Sequence, residues 1–412
     1  MLVPCSRLVR VIGLSALAST SGCTLARAGI GAGSDGGLDA QPAIDASAED
    51  ASTPSDGGLD SGLTDARPGG PLLAGEGSFM RTSSASLTER GGLVRFVPPH
   101  TARADAMRAG LTLVEGTREN LVFASERLTA GAWVRPASCT VTEDAALAPD
   151  GTMTADRQQA PNDTHCAFQT RSREAVTYTL SAWFRSDSDG PVRARGAREV
   201  IIRAMTSRDW ARLRATGTVA AARSDDVILD GRRAYPAVDD PAIAQDVLSW
   251  GWQVEAGTFA SSYIRTADGP ATRAADVWVF AAANVEPELT TDRWTMRVEP
   301  EWTRDELRDP AWLVSFATDA GLRFRRTGTL MLESVVGGIP MAQVEVPEYA
   351  LGDELRIEVD PRAGRLTIAA PGGSRTATGA AWTWTLDGDV RLGGRVGGTE
   401  EIYGWISVPS AP

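Results

Sequence analysis

Residues 249–276 read SWGWQVEAGTFASSYIRTADGPATRAAD, and the fold turns on how they are read. Leu248, Trp250, Trp252 and Val254 fall at every second position, with Ser249, Gly251, Gln253 and Glu255 between them. That period of two predicts a strand with one apolar face. Ala256-Gly257 then breaks the ladder, because glycine tolerates positive φ. Phe259, Tyr263 and Ile264 return apolar side chains to the body of the domain, and the polar run Arg265 to Asp276 suits an exposed connection onward.

Outward from this stretch, other short alternating segments follow the same pattern. Ser84 to Phe96 contains the turn-like Glu89-Arg90-Gly91-Gly92 and alternating Leu93, Arg95 and Val97, which predicts a hairpin. Val176, Tyr178 and Leu180 alternate with threonine and serine, Glu199 to Met205 is a short apolar strand, and Asp226 to Asp230 is another. Trp294, Met296 and Val298 line one strand face, and Trp312, Val314 and Phe316 a second. Leu355, Ile357 and Val359 run into the turn Asp360-Pro361-Arg362-Ala363-Gly364 and return through Leu366 and Ile368. With no long 3.6-periodic segment, the chain reads as all-β, with two antiparallel β-sandwich domains of jelly-roll type.

The pattern W-G-x-Q-x-E-x-G-x-F-x-x-S-Y-I (250–264) followed by A-T-R-A-A-D (271–276) also resembles the closing signature of a carbohydrate-binding-like β-sandwich module of phage tail-fibre and head-spike proteins and bacterial surface proteins. Asn120-Leu121, Ser125-Glu126 and Trp133 match that module, as do Ala148-Pro149-Asp150-Gly151-Thr152 and Thr154-Ala155-Asp156. Trp252 stands where the module usually has a small residue. The resemblance implies a first domain at 77–283. It also implies a concanavalin-like (laminin-G-like) sandwich at 284–412, carried by Gly352 to Asp360 and by Gly397-Gly398 with Gly404 and Ile406.

The front of the chain reads as targeting and spacing. Arg7 and Arg10 precede the apolar run Val11 to Ala18, and Thr20-Ser21-Gly22-Cys23 resembles a bacterial lipobox. The expectation is a signal peptide at 1–22 and a lipid-anchored Cys23 on the outer membrane or cell surface; an ordinary signal peptide with a chance cysteine is the alternative. The apolar run is too short to span a bilayer, so the lipid is the membrane link. Residues 23–76 are Ala, Gly, Asp, Ser and Pro with few large apolar side chains, which predicts a disordered acidic tether. Asp35 to Asp39 and Asp56 to Asp60 both read DGGLD. They lack the spaced oxygen ligands of a calcium loop, so an acidic spacer is the better account and no cofactor is expected.

Charge and chemistry exclude more than they identify. The net charge is −12 and every one of the 41 basic residues is Arg, which argues against a nucleic-acid partner. Cys139 and Cys166 remain as a pair after Cys5 and Cys23; a disulfide is expected, with a metal site including His165 the rival. Neither His100 nor His165 adjoins a nucleophile motif, and GxSxG, HExxH and P-loop patterns are lacking in the mature chain. Glu299 with Glu301, and Glu358 with Asp360, could pair on strand faces, but solvent-facing carboxylates account for them and no enzyme is expected. Trp252, Trp382, Trp384, Tyr403 and Trp405 are the candidate glycan-contact aromatics, on the ground that flat rings stack on sugars; burial in a core is the competing reading. The resulting expectation is a non-catalytic glycan-binding or adhesive module. A structural envelope protein and a glycoside hydrolase or lyase are the alternatives.

Overall fold

The computed structural model describes residue 73 and residues 77–233, 239–307, 310–317, 319–386, 388–395 and 402–411. Cys23, the two DGGLD repeats and Gly397-Gly398 lie outside them; Leu73, within the stretch expected to be a disordered tether, is instead buried and bridged to Val285. The chain begins with β1 (Ser78–Met80), β2 (Ala85–Thr88), β3 (Val94–Val97), β4 (Arg103–Ala104), β5 (Thr112–Val114) and β6 (Arg118–Asn120). Next come β7 (Thr140–Ala146), β8 (Ala155–Ala160), β9 (His165–Arg173), β10 (Thr177–Arg185), β11 (Gly190–Ala197) and β12 (Val200–Thr206). They are followed by β13 (Ala211–Thr218), β14 (Arg223–Asp230), β15 (Gln245–Ala256), β16 (Ala271–Arg273) and β17 (Val277–Phe280). After one turn of helix, α1 (Glu288–Thr291), come β18 (Trp294–Pro300), β19 (Ala311–Ala317), β20 (Ala320–Thr327), β21 (Thr329–Val336) and β22 (Ile339–Glu345). The last are β23 (Leu355–Asp360), β24 (Arg365–Ala370), β25 (Gly373–Thr378), β26 (Val390–Leu392) and β27 (Gly404–Ile406).

The all-β expectation holds. A five-stranded sheet, β13-β10-β15-β8-β7, faces a four-stranded sheet, β12-β11-β14-β9, and Leu180, Val192, Val227 and Val254 fill the space between them. Two seven-stranded sheets, β1-β17-β26-β19-β20-β21-β22 and β25-β24-β23-β18-β27-β5-β4, enclose a second core of Trp294, Val298, Leu322, Phe324, Leu355 and Ile368. Both expected hairpins form, with Ser86 opposite Phe96 and Ile357 opposite Ile368. Gly364 sits at φ 62 with no room for a Cβ beside Gly379 O, so the second turn needs glycine there.

A boundary at 283/284 does not coincide with a break between sheets. β1 and β17 join one seven-stranded sheet, and β4 and β5 complete the other beside β27. Residues 78–114 therefore supply edge strands to both layers of the later sandwich, and Leu73 and Val114 lie in its core.

The single apolar face predicted for 248–254 is corrected. The pairing of β10 with β15 shifts between Ser181 and Trp183, and Gly251 sits at φ 65, a bulge with glycine in the left-handed region. The extra residue reverses the alternation. Val247, Trp252 and Val254 point into the core between the sheets, whereas Leu248 and Trp250 point to the opposite face and pack with Trp183, Tyr263 and Val94 beneath the β2–β3 hairpin.

Beyond the bulge, buried polar groups hold the return segment. The Asn120 amide nitrogen donates to Trp252 O (3.0 Å) and Ile264 O (2.8 Å), and its oxygen accepts from the Val122 and Val254 amides (both 3.1 Å). Gln253 accepts from Ile264 N at 2.7 Å, and the Glu255 carboxylate accepts from Ser261 N. Further on, Arg103 donates to Glu115 (2.5 Å) and to Asp276, Arg81 donates to Asp276 (2.9 Å), and Arg273 lies 3.2 Å from Glu115. All five side chains are buried. Burial alone would raise the Glu115 pKa, but Arg273 and Arg103 hold it down at about 2. This charged knot ties the A-T-R-A-A-D stretch to β4 and to the residues either side of it.

Candidate functional site

The five aromatic candidates do not form a surface strip. Trp252, Trp382, Trp384 and Trp405 are at most 5% exposed, because each ring supplies core contacts that an open sheet face would forgo. Trp252 meets Trp133 and Phe184 edge-on. Trp382 and Trp384 contact each other outside any strand, and Trp384 donates its indole N–H to Val335 O at 2.8 Å. Trp405 lies under the Arg108 guanidinium and donates to Glu301. Tyr403 is half-buried, edge-on to Phe259 with Arg118 over its ring. Of the 12 tryptophans in the chain, Trp210 alone is not buried, and Arg185 lies over its ring.

The paired carboxylates also resolve. Glu299 is buried rather than solvent-facing and accepts from Arg90 and Arg108, so it is part of the packing. Burial, with Glu115 nearby, raises the Glu301 carboxyl. Glu358 and Asp360 remain on the strand exterior, shared with Arg293 and Arg365. Cys139 and Cys166 are bonded to each other with Cα atoms 5.0 Å apart, and His165 packs edge-on against Phe168. Among the described residues, no cluster of three or more His, Cys, Asp or Glu is arranged to hold a metal ion.

The matched motif positions converge elsewhere. Ser125-Glu126, the turn Asp150 to Asp156, and Tyr263 to Thr266 come together around a cavity of about 400 Å3 lined by Glu126, Arg127, Glu143, Asp144, Thr154 and Arg265. The loop before Glu126 is fastened to the return segment: Ala124 N donates to Ala267 O, and Thr266 N donates to Ser125 Oγ at 2.9 Å. Ser125 Oγ and the Tyr263 hydroxyl are 2.6 Å apart. Arg265 bridges the wall, donating to Glu126 at 2.7 Å and to Asp150 at 3.0 Å while lying over Phe96.

Two features mark this cavity apart from ordinary surface. Ala124 and Asp144 line it at φ 48 and φ 51, and only four described non-glycine residues have positive φ. Such backbone persists where the surrounding structure enforces it, and it gathers at ligand sites. Beneath the cavity, buried Asp156 accepts from Leu128 N (2.6 Å) and Asp144 N (3.1 Å), fixing both loops. Burial, with Glu143 and Asp144 near, pushes its pKa up to about 6 despite those two hydrogen bonds. Burial likewise raises Glu126, outweighing Arg265.

At the rim, the side chains of Arg127, Glu143 and Asp144 are exposed and engage no hydrogen bond or ion pair with other described residues. The arrangement offers free donors and acceptors of both signs around a rigid floor, which suits a hydroxyl-rich ligand. Sequence reading missed these three residues. The signal available was the Glu143-Asp144 pair interrupting the alternation of β7, whose pairing with β8 shifts between Thr142 and Ala146.

No protein-family description matches the chain, and no curated protein matches it. Among solved structures it is similar to domains LG4-5 of the mouse laminin alpha1 chain, at 11% identity and a TM-score of 0.19, over 68% of this chain and 91% of that one. The class stands on the sheets themselves: an all-β protein of packed antiparallel sheets.

Proposed function

We propose that this protein is a non-catalytic recognition module, held at the cell surface by lipid on Cys23, which binds a glycan at the cavity between Glu126, Glu143 and Arg265. The observation that carries the reading is the meeting of three separated sequence motifs around one polar cavity with two positive-φ residues in its wall. Glu126 is committed to Arg265, which favours a fixed acceptor over a proton-transfer group. The test is a glycan array probed with the full chain and with an Arg127→Ala, Glu143→Ala variant, whose altered side chains are exposed. Binding to at least one glycan, weakened about tenfold or more in the variant, is expected for the loss of one or two direct contacts. Absence of binding by folded protein overturns the reading. Surface anchoring is tested separately by incorporation of labelled fatty acid, which Cys23→Ser abolishes.

Burial of 11 tryptophans favours a second reading, a structural envelope protein without a small ligand. That reading predicts an array without signal and a chain whose removal alters the envelope.

A further inference from the structure

A second cavity, of about 550 Å3, opens at another end of the first sandwich, where the turn after β10 folds toward the start of β15. We propose that it binds a neutral sugar ring, with Gln245 as the buried donor and Thr140 and Asp246 as acceptors.

The polar groups define the charge of the ligand. Asp246 takes two hydrogen bonds from Arg157, at 2.7 and 2.8 Å, and one from Gln159 at 3.0 Å. A carboxylate offers about four acceptor positions, so one is left for a ligand hydroxyl. Arg157 pairs with it while also lying 3.2 Å from Asp187, so the local charge is negative, and no guanidinium or other cation lines the cavity. An anionic ligand therefore finds no counter-charge, and a cation competes with Arg157.

Gln245 points to the ligand independently. It is 3% exposed and lines the cavity, its Oε1 is fixed by the Arg193 amide at 2.7 Å, and its Nε2 has no partner among the described residues. A buried amide donor left unmet costs stability; Nε2 has almost no accessible surface as it stands, so a ligand oxygen meets it once the side chain turns toward the cavity, and that contact removes the cost. The remaining lining includes Pro161, Pro191, Ala160 and Ala244, apolar surface of the kind that the C–H face of a sugar covers. The rim is held in advance of binding: Cys139, bonded to Cys166 on β9, stands between Ser138 and Thr140, both of which line the opening.

The experiment is saturation-transfer NMR on the full chain with glucose, galactose, N-acetylglucosamine and glucuronate as probes, followed by titration of the side-chain amide signals of Gln245 and Gln159. Transfer to at least one neutral sugar is expected, with a shift of the Gln245 amide and with glucuronate about tenfold weaker or more. Gln245→Leu should reduce affinity by about tenfold or more, the loss of one buried hydrogen bond. If that variant does not fold, Thr140→Val at the exposed rim serves in its place. The Arg127→Ala, Glu143→Ala variant should keep this response unchanged, which separates the two cavities. The proposal is overturned if no neutral sugar shifts the Gln245 amide, if glucuronate binds best, if the folded Gln245 or Thr140 variant binds as the parent does, or if the Arg127, Glu143 variant loses the response.

Discussion

Gly251 lies against the indole of Trp183: a Cβ built on Gly251 would stand 2.9 Å from the ring carbon Cε3, and the backbone there is at φ 65. The ring can retreat only by disturbing Trp250 and Tyr263, which both pack edge-on against it. Gly251→Ala should therefore destabilise the protein by about 2–4 kcal/mol, from left-handed strain together with overpacking. Urea midpoints of the two proteins check this, and an unchanged midpoint would show that the bulge tolerates a side chain.

The knot of Arg81, Arg103, Arg273, Glu115 and Asp276 predicts a second effect. Arg103→Met leaves two buried carboxylates short of a partner, which costs about 3–5 kcal/mol. Because Glu115 is held at about 2, below its ordinary 4.5, its stabilisation is complete above pH 4.5 and is lost as pH falls through 2. Acid titration of stability in the parent and in Arg103→Met should show a smaller acid-side loss in the variant.

Asp156 acts in the other direction. Its folded pKa of about 6 lies above the 3.8 of the unfolded chain, so the unfolded chain releases the proton first as pH rises. Stability contributed at this residue falls between pH 4 and 6 and stays lower above that window, by about 3 kcal/mol. Asp156→Asn removes this slope while its amide oxygen still accepts one of the two backbone N–H groups. Denaturation at pH 4.5 and pH 7 in both proteins measures the difference; equal slopes would contradict it.

Residues 284–412 expressed alone should fail to fold, because β1, β4, β5 and β17 are missing from their two sheets. Circular dichroism and NMR dispersion report this directly. A well-dispersed spectrum from that fragment would mean that the edge strands are dispensable.

Local signals were legible and long-range ones were not. The β23–β24 hairpin is written in Asp360-Pro361-Arg362-Ala363-Gly364 and in flanking alternation, and β2–β3 in Arg90-Gly91-Gly92, because turn chemistry and register lie within a dozen residues. The bulge at Gly251 was hidden, since Leu248, Trp250, Trp252 and Val254 keep a perfect period of two in sequence while the backbone reverses it. Trp382 and Trp384 carry the same composition whether stacked in a groove or sealed in a core, so burial had to be seen. The cavity at Glu126 was signalled only by the motifs that frame it; the free side chains Arg127, Glu143 and Asp144 belong to no pattern that chemistry alone would pick out.

Val114 pairs with Gly404 across 290 positions of chain, joining β5 to β27. During synthesis the early strand, paired on one side with β4, keeps its other edge open until nearly all later segments exist. A prematurely terminated product would therefore keep a raw sheet edge on view, a surface open to pairing with other chains.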